Sequence, residues 1–262
     1  MEIVNMINGG LVSITFRQRS VREIVELVAK TELKAIEWGG DVHVPHGNLA
    51  KAKEARQMTS DAGLICASYG SYYRLGVSEK EGLSFNAVAD VAAELGAPTV
   101  RVWAGGKGSD GVDCKYREQI VEEALKVADT AQRAGVSLSF EYHGGTLTDT
   151  DESAMQFLKE ADHENLFLYW QPPLRETMEE RLKGLSNILE LNKLTNLHVF
   201  KWEVTDDGFA RLPLSDGVSE WIKYFEIVGK CSGDRCAMIE FVKNDSPEQF
   251  MDDAATLAGM LN

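Results

Sequence analysis

Positive charge is scarce in this sequence. Its 27 lysines and arginines stand against 41 aspartates and glutamates, which gives a formal net charge of −14. Because affinity for nucleic acid comes mainly from basic side chains that neutralise phosphates, this balance disfavours a nucleic-acid partner. The chain also lacks any apolar run near the roughly 20 residues that cross a membrane, and MEIVNMINGG lacks the pattern of a signal peptide. We therefore expect a cytoplasmic protein without a membrane or nucleic-acid partner.

Cysteine is also scarce, and no Cys-x-x-Cys pair occurs among Cys66, Cys114, Cys231 and Cys236. This absence favours free thiols in a cytoplasmic protein. The spacing of Cys231 and Cys236 leaves a disulfide as the less favoured alternative. No linker, low-complexity tract or change of composition divides the chain, so we interpret residues 1–262 as one domain.

Strand-like and helix-like segments alternate along the whole chain. The helical segments include one that opens with Ser20 and Glu23 in a capping-box pattern. Eight strands, each followed by a helix, predict an α/β protein with a single (β/α)₈ TIM barrel. The competing fold, an open doubly wound sheet, usually shows a Gly-x-Gly-x-x-Gly turn that is missing here. The predicted strands are 11–16, 34–39, 64–70, 99–105, 136–143, 166–171, 196–202 and 236–242.

Four polar residues lie late in the last four predicted strands: Glu141, Gln171, His198 and Glu240. In a TIM barrel the carboxyl ends of the strands meet at one mouth, where the active site lies. Two carboxylates, an amide oxygen and an imidazole form a suitable ligand set for Mn²⁺, Mg²⁺ or Co²⁺. The sequence therefore predicts one divalent metal site at this mouth.

The motifs around these residues resemble those of the xylose isomerase-like TIM barrels over most of the chain. They are FEYH, YWQPP, HVF followed by RLPLSDG, and IEF. This family includes sugar-phosphate isomerases and epimerases, ketose 3-epimerases, inosose dehydratase and endonuclease IV. Its usual metal ligands are Glu, Asp, His and Glu at the ends of strands 5 to 8, and the resemblance implies these roles for Glu141, Gln171, His198 and Glu240.

Two departures from the family pattern concern the metal. Gln171 stands where the family usually has Asp, and Leu174 stands where many relatives carry His. A neutral amide oxygen can bind a divalent ion, but it gives the site one negative charge less, so we expect the metal to be held more weakly. The histidines that hold further metals in endonuclease IV-type members are missing, which disfavours DNA repair.

The resemblance implies a metal-dependent isomerase or epimerase that acts on a small sugar or sugar phosphate. In such an enzyme one carboxylate removes a proton beside a carbonyl, through an enediolate, and the other returns it; these catalytic roles fall to Glu141 and Glu240. The alternatives are an inosose-dehydratase-type lyase and a catalytically weak sugar-binding barrel. Homo-oligomerisation stays open.

Five residues near strand ends are candidate substrate-binding residues: Glu37, His43, Trp103, His143 and Arg211. A supporting role for His143 and a surface position for Arg211 are each about as well supported as substrate binding. Alternation along strands 2 and 4 predicts that Glu37 pairs with Arg101 near the mouth. A second metal site at Asp41, His43 and His46 is less favoured than a hydrogen-bonding role. Several further aromatic residues follow strand ends, as in sugar-binding pockets, although Trp170 alternates away from Gln171 and should face the helices.

Overall fold

Eight parallel strands form a closed barrel in the computed structural model, which describes residues 6–262. The barrel strands are β1 (Ile7–Val12), β2 (Ala35–Gly39), β3 (Ile65–Arg74), β4 (Thr99–Trp103), β5 (Ser137–Glu141), β6 (Leu166–Trp170), β7 (Leu194–Val199) and β10 (Arg235–Ile239). Around the closed sheet the order is β1, β10, β7, β6, β5, β4, β3 and β2. The predicted (β/α)₈ barrel is therefore confirmed.

Eight helices, one after each barrel strand, pack their buried faces on the outer surface of the barrel. They are α1 (Val21–Val28), α2 (Leu49–Asp61), α3 (Phe85–Leu95), α4 (Cys114–Arg133), α5 (Asp151–Ala161), α6 (Met178–Glu190), α7 (Val218–Val228) and α8 (Pro247–Leu261). The predicted capping box is present at Ser20 and Glu23, and Pro247 opens its helix. In the described part of the chain, no helix combines the length and the apolarity that crossing a membrane needs.

The first strand lies four residues earlier than predicted. β1 begins at Ile7 and contains Gly9 and Gly10, while residues 13–16 form a 3₁₀ turn. A Cβ at Gly10 would lie 2.5 Å from the carbonyl oxygen of Ala35, so close packing requires glycine there. The sequence pattern was misleading because the two glycines weaken the strand signal, whereas the apolar turn that follows imitates it.

The seventh predicted strand is divided into two elements. β7 ends at Val199, and a hairpin of β8 (Lys201–Thr205) and β9 (Gly208–Leu212) follows outside the barrel. The Asp206-Asp207-Gly208 segment supplies the turn residues of this hairpin. All four cysteines are free, so the disulfide between Cys231 and Cys236 is not formed.

Two of the tryptophans at strand ends face the helices instead of the mouth. Trp38 donates its indole N–H to Thr59 of α2 at 3.2 Å. Trp170 packs edge-on against Tyr224 of α7, with ring centroids 5.0 Å apart. The prediction that Trp170 faces outward is confirmed, and both rings stabilise the contact between strands and helices.

Candidate active site

Three of the four predicted ligands converge at the carboxyl ends of their strands. Glu141 ends β5, His198 is the penultimate residue of β7, and Glu240 directly follows β10. The Nδ1 atom of His198 lies 3.3 Å from Glu141 Oε1 and 3.5 Å from Glu240 Oε2. We call these three residues the Glu-His-Glu cluster. One ligand atom from each lies within 4.8 Å of the others, and all three side chains are buried.

Gln171, the fourth predicted ligand, follows the last residue of β6 at the same end of the barrel. Its amide nitrogen donates a hydrogen bond to the backbone oxygen of Tyr142 at 2.5 Å. This bond orients the side chain, and the amide oxygen is buried without a partner among the described residues. Since buried polar atoms are normally hydrogen-bonded, this oxygen is available for a ligand.

A buried arginine connects the cluster to β2. Arg101, on β4, donates its Nε–H to Glu37 Oε1 at 2.8 Å and a second N–H to Glu141. Ser68 donates its hydroxyl to the other oxygen of Glu37, which lies 3.5 Å from His198 Nε2. The predicted pair of Glu37 and Arg101 is confirmed. Glu37 is completely buried, and its carboxylate contacts Arg101 and His198.

The charges of these groups strongly shift one another's pKa values. Burial opposes ionisation of Glu141, but the charges of Arg101 and His198 outweigh it and lower its pKa to about 2. Glu37 behaves in the same way, and Arg101 brings its pKa well below the usual range. Burial, opposed by His198 and reinforced by Glu141, raises the pKa of Glu240 to about 7. The carboxylates of Glu240 and Glu37 overcome the burial of His198 and raise its pKa to about 10.

The donor set fits a divalent cation. Glu37, Glu141 and Glu240 are three buried carboxylates, and Arg101 is the one permanently charged cation paired with them. A histidine that binds a metal is neutral; with His198 in that form, two negative charges remain uncompensated, and a divalent cation would balance them. Both ring nitrogens of His198 are also buried without a hydrogen bond of normal geometry. If Nδ1 binds the metal, Glu37, 3.5 Å from Nε2, is the nearby carboxylate that could accept a hydrogen bond from the Nε2–H, as carboxylates do at many metal-bound histidines.

Aromatic side chains surround Glu141 at the mouth. Trp103 donates its indole N–H to Glu141 Oε2 at 2.6 Å, and its ring lies 4.8 Å from that of His143. The guanidinium of Arg74 lies 4.5 Å from the centre of the Trp103 ring, and Tyr72 meets that ring edge-on. Trp103 and His143, two of the predicted substrate-binding residues, therefore lie beside the cluster.

The other two predicted substrate-binding residues have partners outside the cluster. Arg211 lies on β9, where it pairs with Asp245 at 2.5 Å and covers the ring of Phe241. His43 is buried against Trp38 and contacts the backbone oxygen of Arg19 at 3.0 Å. Burial also lowers the pKa of His43.

The alternative second metal site at Asp41, His43 and His46 is not assembled. Asp41 pairs with Arg17, and His46 contacts the hydroxyl of Tyr69 at 2.8 Å. Among the residues that the structure describes, the Glu-His-Glu cluster is the one group of three acidic, histidine or cysteine side chains arranged to hold a metal.

A cavity of about 370 Å³ opens among the segments that follow β5, β6 and β7; we call it the mouth cavity. Gln171 belongs to its wall, which places the cavity next to the proposed metal ligands. Its wall includes His143, Asp149, Gln171, Leu174, Trp202 and Phe209. The volume suits a small molecule of sugar size.

Three residues of this region were not singled out in the sequence. Ser68 bonds Glu37, Tyr169 places its ring 4.5 Å from that of His198, and Asp149 lines the mouth cavity. Ser68 alternates with apolar residues on β3, which was a usable signal for an interior position. Tyr169 and Asp149 carried no such signal, because aromatic residues are common in strands and acidic residues are common in loops.

Comparison with known proteins agrees with this architecture. The family described as xylose isomerase-like TIM barrel matches residues 25–258. No curated protein matches this sequence at a significant level.

Solved structures share the fold at low sequence identity. The probable 3-DHS dehydratase AsbF, involved in petrobactin synthesis in Bacillus anthracis, superimposes with a TM-score of 0.80 at 19% identity, covering 97% of this chain and 99% of that one. A xylose isomerase-like TIM barrel protein from Mycobacterium smegmatis, in complex with magnesium, has a TM-score of 0.72 at 18% identity, covering 100% of this chain and 98% of that one. D-allulose 3-epimerase from Methylomonas sp. has a TM-score of 0.71 at 13% identity, covering 100% of both chains. At these identities the likeness shows the fold alone.

Proposed function

Because this chain belongs to the xylose isomerase-like TIM barrel family, we propose that it is a metal-dependent isomerase or epimerase of a small sugar or sugar phosphate. The observation that carries the proposal is the Glu-His-Glu cluster, three buried ligand groups within 4.8 Å of one another. The similar fold of D-allulose 3-epimerase and the magnesium in the Mycobacterium smegmatis structure support it.

Glu141, His198, Glu240 and the amide oxygen of Gln171 would hold one Mn²⁺, Mg²⁺ or Co²⁺ ion. A divalent cation supplies positive charge that polarises a substrate carbonyl and so acidifies the neighbouring C–H group. Arg101 and Trp103 both donate hydrogen bonds to Glu141 Oε2. No described residue donates a hydrogen bond to the carboxylate of Glu240. Glu240 is therefore the carboxylate with the greater freedom to exchange a proton.

In the proposed step Glu240 takes the proton from the carbon beside the carbonyl. The electron pair of the broken C–H bond moves into the adjacent carbon–carbon bond, and the carbonyl oxygen gains the negative charge. Return of a proton to the other face of the same carbon gives an epimer. Return to the former carbonyl carbon gives an isomer once the hydroxyl proton of the neighbouring carbon has passed to the former carbonyl oxygen, so that the neighbouring carbon becomes the new carbonyl. That Glu141 returns the proton remains a prediction. The adjacent rings of Trp103 and His143 would lie beside the reacting carbons in this proposal and would limit the access of water.

The test is exchange of substrate hydrogen with solvent. Purified protein is incubated with Mn²⁺ in D₂O together with ketoses, keto-inositols and ketose phosphates, and deuterium beside the carbonyl is followed by NMR. We expect incorporation in at least one substrate class. Absence of exchange in all of them, combined with absence of bound metal, would favour the alternative of a sugar-binding barrel without catalysis.

A dehydratase is the second candidate, supported by the similar fold of the probable 3-DHS dehydratase. Its reaction begins with the same proton removal, but hydroxide then leaves from the next carbon. Mass spectrometry separates the two outcomes, because a dehydratase product has lost one water and an epimerised product keeps the mass of its substrate.

The first prediction concerns the strength of metal binding. Changing Gln171 to Asp adds a negative charge at an oxygen that we assign to the metal, so Mn²⁺ affinity should rise by at least about tenfold, a scale that even outer-shell changes reach. Isothermal titration calorimetry on metal-free protein measures it. Gln18→Asp, at an exposed position, is the matched control and should leave the affinity unchanged. Equal affinities in both variants would remove Gln171 from the ligand set.

A further inference from the structure

Besides the amide oxygen of Gln171, which we assign to the metal, two buried polar atoms of residues that line the mouth cavity have no partner among the described residues. Asp149 accepts a hydrogen bond from the backbone N–H of Ser109 at 3.0 Å through Oδ2, but its Oδ1 has none. The indole N–H of Trp202 is likewise unpaired. A buried polar group without a partner carries a substantial free-energy penalty, and native proteins contain few of them. Two in one cavity therefore call for a common explanation.

The hydrogen-bonding chemistry of these two atoms defines which ligand groups can pair with both. An ionised carboxylate only accepts hydrogen bonds, and an indole N–H only donates them. Arg175 also lines the cavity, but a phosphate or carboxylate group that accepted from Trp202 at this point would be repelled by Asp149. A hydroxyl group both donates and accepts, so a ligand that carries neutral hydroxyls can satisfy the two atoms together.

The hairpin supplies an apolar surface next to these atoms. Trp202 on β8 stacks on Phe200, with ring centroids 4.2 Å apart and 22° between their planes. Phe209 on β9 lies 6.4 Å from the Trp202 ring, and all three residues line the mouth cavity. Such a wall favours the burial of carbon atoms, while Asp149 and Trp202 provide the polar contacts.

We propose that Asp149 and Trp202 bind hydroxyl groups in the part of the substrate that is remote from the reacting carbons. This proposal rests on the proposed function, since it concerns the substrate of that same site. It narrows the substrate class to one with a neutral, polyhydroxylated end at Asp149 and Trp202. Asp149 and Trp202 thereby become specificity-determining residues.

Binding of defined probes tests the proposal. D-allulose, D-fructose and myo-inositol are titrated into the Mn²⁺-loaded protein, with D-fructose 6-phosphate as the anionic counterpart, and dissociation constants are measured by NMR. We expect at least one neutral probe to bind more tightly than the phosphate. Trp202→Phe keeps an aromatic ring but loses the N–H, and Asp149→Asn keeps the contact to Ser109 but loses the charge. Each should weaken that binding by about five- to tenfold, the value of one hydrogen bond.

Controls and separate readouts keep this proposal distinct from the proposed function. Asp110→Asn, an exposed residue before α4, makes the same chemical change outside the cavity and should bind the probes as the wild type does. Circular dichroism and the melting temperature confirm folding. Unchanged affinities in Trp202→Phe and Asp149→Asn, no binding of any neutral probe, or tighter binding of the phosphate would overturn the proposal, even if hydrogen exchange is observed. Weakened binding in both variants without any exchange would support it while the proposed reaction fails.

Discussion

Glu240→Gln is expected to slow hydrogen exchange beside the substrate carbonyl by about 10²- to 10⁴-fold, the usual contribution of a positioned acid or base. Glutamine keeps the size of the side chain but cannot accept the proton at neutral pH. No described residue donates a hydrogen bond to the Glu240 carboxylate, so the substitution breaks no such bond. The fold should therefore remain intact. Exchange rates in D₂O with saturating Mn²⁺ measure the effect.

The design must separate proton transfer from metal binding, because we assign both to Glu240. Metal content is determined for each sample, and rates are compared only between fully loaded proteins. Glu226→Gln, on the exposed face of α7, is the matched control and should exchange at the wild-type rate. A loaded Glu240→Gln protein with full activity would exclude Glu240 as the base and leave Glu141 as the remaining candidate.

Arg101→Met should lower the free energy of unfolding by about 3–5 kcal/mol, the cost of breaking a buried ion pair by removing one partner. Arg101 is the guanidinium that balances Glu37 and Glu141, and all three side chains are almost completely buried. Methionine fills similar space but leaves two carboxylates without their cation. At about 2–4 °C per kcal/mol for domains of this approximate size, the melting temperature should fall by roughly 6–20 °C.

A double variant tests the cause of this loss. Adding Glu37→Gln to Arg101→Met removes one of the stranded charges, so it should recover part of the stability. Arg22→Met, at an exposed position of α1, controls for the change of residue type and should leave the melting temperature nearly unchanged. Calorimetry of metal-free samples provides the comparison. An Arg101→Met protein as stable as the wild type would contradict the electrostatic role that we assign to this network.

Part of the candidate site followed from strand position alone. Glu141, His198 and Glu240 stand at the ends of apolar runs, and parallel strands of a barrel bring such ends to one mouth. The pairing of Glu37 with Arg101 followed from their alternation with apolar residues on two strands. These arguments work because the side-chain period of a strand is fixed by backbone geometry.

Contacts across the mouth could not be predicted in the same way. Alternation shows which face a residue occupies, but not that Arg101 also reaches Glu141 or that Trp103 donates to the same carboxylate. Arg211 was a candidate substrate-binding residue, with a surface position as the alternative; it lies in a hairpin outside the barrel, where it pairs with Asp245. Loop conformation depends on long-range packing, and a local sequence pattern carries little of that information.

The local order of residues was sufficient to predict the alternation of strands and helices and the barrel class. It also predicted the strand ends that carry Glu141, His198 and Glu240. These predictions succeeded because backbone periodicity and helix capping act over a few residues. Closure of the barrel determined the rest. It brought Arg101 between two carboxylates, placed Trp38 against helix α2, and left Asp149 and Trp202 unpaired in one cavity. These relations join residues up to dozens of positions apart, and they depend on strand register and side-chain packing that only the complete fold establishes.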